Sequence, residues 1–144
     1  MLKRREVRET AFLLVFEELF RTGELAEIIE SASLIEGIVV TGEVEALFRA
    51  VTENADMLDA IIARYSDKRA IDRIPRVNMA ILRLALYEAL FDEKVPLNVA
   101  ISEAVILAKG YAQDPDVSFI NGVLGAFSRS DDAVPARQKT IAHE

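Results

Sequence analysis

Lys3, Arg4, Arg5 and Arg8 crowd the start of the chain, and side chains of this kind recognise phosphate and bases. A guanidinium is planar and always charged, binds phosphate oxygens in pairs and stacks on nucleobases. The simpler alternative is a solvated N-terminus that only aids solubility. Groups for covalent or metal chemistry are scarce. The one histidine, His143, stands near the C-terminal end, and cysteine is absent, so neither a Ser-His pair nor a thiolate or histidine metal site can be assembled. Neither GxxxxGK[ST] nor GxGxxG occurs. The acidic pairs Glu17-Glu18 and Asp131-Asp132 are adjacent in sequence, so on a helix they point apart and read as solvated surface. No catalytic residue, metal or cofactor is expected.

The net charge of −7 argues at first against nucleic acid, but its distribution matters more than its sum. Residues 1–16 hold four bases against Glu6 and Glu9; residues 17–59 hold eleven acids against Arg21 and Arg49; residues 60–144 balance at eleven each. A basic tip on an acidic body suggests a local phosphate contact, with repulsion elsewhere. No run approaches the roughly 18–20 apolar residues of a membrane span. Lys3-Arg4-Arg5 leads into an amphipathic stretch with Glu17 and Glu18, unlike a signal peptide. A soluble, cytoplasmic domain is expected. At 144 residues it is long enough for a real core.

The elements that would position these groups are helices. Val7, Ala11, Phe12, Val15, Phe16 and Leu19 form one stripe that closes before Gly23, a helix stop. A shorter amphipathic piece is expected over about 24–34. Thr41 suits the N-cap of a third helix, whose stripe runs through Val44, Leu47, Phe48, Val51, Leu58 and Ile62. The polar break Ser66-Asp67-Lys68-Arg69 then divides the chain into subbundles of about 1–66 and 67–130. Residues 77–91 are apolar on almost every side, as for a helix buried between others, and Pro96 opens another. Asp114-Pro115 reads as an N-cap followed by proline at the first helical position. That start decides the pair Asn121-Gly122, a hairpin signal in isolation, in favour of a helix. Gly122 and Gly125 would each cost about 1 kcal/mol against alanine there, which close approach of another helix would offset. Residues 131–144 lose periodicity and are expected to form a mobile tail.

Three stretches taken together resemble the NusB family of bacterial transcription antitermination factors: REVRETAFLLVFE (5–17), RVNMAILRLALYEALF (76–91) and VPLNVAISEAVILAKGYAQDPDVSFINGVLGAF (95–127). The resemblance implies an all-α, NusB-like protein of two packed three-helix subbundles. It implies a heterodimer with the small-subunit ribosomal protein NusE. That heterodimer binds the boxA element of nascent ribosomal RNA and acts indirectly on the RNA polymerase elongation complex. It assigns RNA contacts to Lys3, Arg4, Arg5 and Arg8, and places Ser118, Phe119 and Asn121 near the RNA. Phe119 has the alternative of a core position and Asn121 that of a structural hydrogen bond. Gly122 is assigned to close helix packing. The partner face is expected at Phe16 and Asn78.

The chain departs from the family pattern at several of these positions. Glu6 stands inside the basic motif, Ser118 replaces a frequent lysine, Asn78-Met79 replaces an acid and a base, and Phe16 replaces a tyrosine. Two alternatives therefore stay open: a protein-interaction module that kept the fold and lost RNA affinity, and the RNA-positioning domain of an RNA methyltransferase. The free protein as monomer or homodimer also stays open.

Overall fold

The computed structural model describes residues 2–66 and 69–143, with side chains as far as Lys139. The described residues form eight α-helices and no strand: α1 (Arg4–Glu18), α2 (Leu25–Ser33), α3 (Gly42–Glu53), α4 (Ala55–Tyr65), α5 (Arg76–Phe91), α6 (Leu97–Tyr111), α7 (Asp114–Ser128) and α8 (Val134–His143). Short 3-10 turns stand at Ile71–Arg73 and Asp131–Ala133. The chain divides into two compact units, Met1–Asn54 and Ala55–Glu144. This division falls before the one expected at residue 66, so α4 belongs with the second unit. That unit carries α4 to α8 instead of three helices. The middle pair of the polar break, Asp67-Lys68, lies outside the described residues, as do Glu144 and the His143 side chain.

The earlier boundary has a local cause. Val44, Leu47, Phe48, Val51, Leu58 and Ile62 are all buried, yet they belong to two helices. Asn54 ends α3, and its side-chain Nδ2 donates to the Ala50 carbonyl at 2.7 Å. A side chain bonded to its own backbone competes with helix continuation. The step from Val51 to Leu58 is i, i+7, so the stripe keeps its phase across the break and conceals it.

In the first unit α1 packs on α2 and α3. Thr41 caps α3 as expected, its Oγ1 accepting from the Val44 amide at 3.2 Å. Gly23 takes the left-handed conformation after α1, at φ +88°. Its amide donates to Glu18 Oε2 at 3.1 Å, so the buried Glu18 carboxylate secures the turn.

In the second unit α5 touches α4, α6, α7 and α8, which explains why almost every side of it is apolar. Arg83 forks onto Asp59 of α4 through two bonds of 2.7 Å, the bidentate geometry that makes an ion pair strong. α7 runs unbroken through Asn121-Gly122, so the helix prevails over the hairpin. Its N-cap is Gln113, so the helix starts one residue earlier than expected, with Asp114 and Pro115 in its first turn.

Residues 131–139 differ most from expectation. They form a 3-10 turn and the start of α8, with Ala133, Ala136 and Lys139 buried. Lys139 Nζ donates to the carbonyls of Glu88, Ala89 and Asp92 at 2.9, 2.6 and 2.9 Å, closing the C-terminal end of α5. Arg137 Nη1 does the same for α7, reaching the carbonyls of Ser128 and Ser130 at 2.7 and 2.9 Å. Helix ends leave such carbonyls without intrahelical partners, and cationic side chains suit them. Burial pulls the Lys139 ammonium below the ordinary lysine range, against the carboxylates of Asp92, Glu93 and Glu88. Asp132 ties the segment to α4: the Tyr65 hydroxyl donates to it at 2.6 Å and Arg64 at 2.7 Å. These two bonds hold its carboxyl below the usual carboxylate range. The contacts are largely polar side chains on backbone carbonyls, and such contacts leave no apolar stripe to read.

Candidate functional site

The first unit presents its basic residues at the start of α1. Lys3 is exposed at the N-cap position and Arg5 is exposed in the first turn. Arg4 is half-buried and pairs with Glu43 at 3.5 Å. Glu6 folds back to accept the backbone N–H of Lys3 at 3.1 Å. An acid that caps the positive end of a helix explains its presence inside a basic motif.

Arg8 does not join this tip. It is only 4 % exposed, so its side chain is not available as a phosphate grip at the surface. The reason lies in its register: Arg8, Ala11, Phe12 and Val15 make one i, i+3, i+4, i+7 face, and that face is core.

In the second unit Ser118 and Asn121 are exposed on α7. Gly122 is exposed beside them, and a Cβ added there would meet nothing within 4 Å. Close packing therefore does not account for this glycine, contrary to the sequence-based expectation. Phe119 is half-buried, and the Arg69 guanidinium lies over its ring, 4.4 Å from the centroid. Arg69 Nη1 also donates to Asp116 Oδ1 at 3.2 Å, and Asn78 Nδ2 donates to that same oxygen at 3.1 Å.

Asn78 is 0 % exposed, which excludes the direct partner contact expected of its side chain. It instead braces Asp116 from within the unit, and its Oδ1 is buried without a hydrogen-bond partner. Arg69 and Asp116 were missed in the sequence because neither falls on an apolar stripe. A carboxylate in the first turn of α7 was the one available signal.

Phe16, the other residue expected on the partner face, does border open space. A groove of about 310 Å³ between α1 and α2 is walled by Leu13, Phe16, Ile28, Ala32, Ile35 and Ile38. Phe16 lies in a row of rings along α1, 6.2 Å from Phe12 and edge-on to Phe20 at 5.2 Å. Around Arg21, also on the lining, stand Glu24, Glu27 and Glu17 at 3.2, 3.3 and 3.5 Å. Three carboxylates around one guanidinium leave the rim negative. Leu34, Ile35 and Val39 are 83 %, 57 % and 54 % exposed, so apolar surface accompanies the groove.

Among the described residues no helix is long and apolar enough to cross a membrane. The NusB family profile matches residues 5–129. The transcription antitermination protein NusB of Clostridium acetobutylicum is 35% identical over 134 residues, covering 91% of this chain and 98% of its own. The solved structure of T. maritima NusB superposes with a TM-score of 0.82 at 31% identity, covering 98% of both chains. A crystal structure of the antitermination factors NusB and NusE in complex with dsRNA matches with a TM-score of 0.73 at 27% identity, over 85% of this chain and 93% of that one. An all-helical chain with this extent of likeness belongs to the NusB family.

Proposed function

We propose that the protein is a non-catalytic transcription antitermination factor. It binds boxA-type RNA of nascent ribosomal RNA as a heterodimer with the NusE ribosomal protein, and so acts in the cytoplasm on the RNA polymerase elongation complex. Family membership supports the role, and the observation that carries it onto this chain is the exposed basic start of α1. Lys3, Arg4 and Arg5 supply the phosphate contacts there, while Arg8 serves the core of its own helix. In the second unit Ser118, Asn121 and Phe119 lie on or beside the face of α7 that meets RNA. NusE docks on the groove bordered by Phe16, whose apolar walls and negative rim suit a basic protein with an apolar anchor. Asn78 contributes only by bracing.

The reading is tested by transcription in vitro on a template carrying boxA, with purified polymerase and NusE. Addition of the protein should raise read-through at a downstream terminator, and only when both boxA and NusE are present. Equal read-through without boxA would contradict it. A second reading, a module that binds protein but no RNA, draws on the burial of Arg8 and the missing lysine at Ser118. It predicts a stable NusE complex with no boxA-dependent read-through.

A further inference from the structure

We infer that Arg69, stacked on Phe119, is a nucleobase platform and hence a further RNA-contacting residue of the second unit. The inference rests on the RNA-binding reading above and assigns to Arg69 the stacking role that Phe119 alone suggested. One face of the Phe119 ring is covered by the guanidinium at 4.4 Å, so a base cannot stack on that face directly. The guanidinium has an outer face of its own, and its side chain is 33 % exposed. Bases of single-stranded RNA stack on guanidinium planes as well as on aromatic rings.

The bracing of this arginine is what separates it from an ordinary surface cation. A free arginine loses rotamer freedom when it is fixed, and a braced one has less to lose. Here the Phe119 ring lies under the guanidinium at 4.4 Å and Asp116 holds one of its nitrogens at 3.2 Å. Asp116 is in turn held at 3.1 Å by Asn78, a residue with no exposure at all. Asp116 also sits in the first turn of α7, where the helix end favours a carboxylate. A buried amide with one unpartnered oxygen is a costly brace for a solvated charge. It is an understandable brace for a side chain that has to meet a ligand in one orientation. Ser118, Asn121 and Gly122 are exposed on the same helix as Phe119, and none of them is bulky.

The test uses the full chain with NusE and a fluorescein-labelled single-stranded boxA-type RNA, read by anisotropy. Arg69→Ala should weaken binding about ten-fold, the usual worth of one stacked base. Arg69→Lys keeps the charge and loses the plane, so it should lose most of that factor with the salt slope unchanged. Phe119→Leu keeps an apolar contact on α7 and removes the ring, and should fall between them. An RNA with an abasic site at the stacked nucleotide should bind wild type about ten-fold more weakly, yet bind Arg69→Ala no worse than intact RNA does. A merely structural arginine would not show this coupling. Wild-type affinity in Arg69→Lys would reduce Arg69 to a point charge and overturn the platform. Wild-type affinity in Arg69→Ala would overturn any contact by this residue and leave the boxA reading intact. Failure of the wild-type complex to bind the RNA would overturn both.

Discussion

The two units bury their helices in different ways. In the second, α5 is surrounded by four helices, and the ends of α5 and α7 are closed by Lys139 and Arg137 from α8. In the first, α1 is covered by α2 and α3, but an apolar groove remains beside Phe16 and three large side chains of 34–39 are mostly exposed. A unit whose helix-end carbonyls are satisfied internally can hold a braced cluster such as Asn78–Asp116–Arg69 in place. A unit that leaves apolar surface open next to a negative rim is built to be completed from outside. Under the proposed function, the first unit captures the partner and the second holds the braced cluster.

Removing the clasp of the second unit should have the largest effect. Lys139→Ala takes a charged donor away from three carbonyls at the end of α5. A cost of about 3 kcal/mol in unfolding free energy is expected from urea denaturation, since bonds to charged groups are worth roughly 1.5–3 kcal/mol. Next comes the basic tip. Replacing Lys3, Arg4 and Arg5 together with alanine should reduce RNA affinity several tens-fold and lower the salt slope by up to about three, leaving NusE affinity unchanged. Arg8→Ala should do the opposite, lowering the melting temperature and leaving the salt slope alone.

A charge placed at the groove tests the open side of the comparison. Ile35→Glu adds a carboxylate at an already exposed position, so the fold should tolerate it. NusE affinity measured by calorimetry should drop at least ten-fold, because a desolvated and unpaired carboxylate then faces the partner. The smallest effect is expected at Gly122. Gly122→Ala finds free space for its methyl group and gains helix propensity, so stability should rise by up to about 1 kcal/mol. A fall in RNA affinity in this more stable variant would mark Gly122 as a point of close approach.

Much of this was legible in the residues, and the failures have physical causes. The stripe from Val7, the Thr41 cap, Gly23 as a stop and the apolar sides of α5 all follow from period and capping. The break at Asn54 stayed hidden because the next helix resumes in phase. Residues 131–139 depart from the expected mobile tail because their contacts are polar and long-range, Lys139 reaching back to the end of α5. For the site, a basic cluster at 3–5 was plain from charge alone. Arg8 was assigned by residue type when its i, i+3, i+4, i+7 relation to Ala11, Phe12 and Val15 already placed it in the core. Asn78 carried the same signal, since its neighbours in α5 are apolar on every side. Arg69 could not have been found this way, because it lies outside the helices and owes its place to Phe119 and Asp116.

The central claim, an RNA-binding adaptor completed by NusE, is tested most directly by anisotropy of labelled boxA-type RNA over a salt series, with the protein alone and with NusE. Binding should tighten when NusE is added and weaken steeply with salt, as expected when lysine and arginine displace counterions from phosphate. Binding that is absent in both conditions, or indifferent to salt and partner, would contradict it.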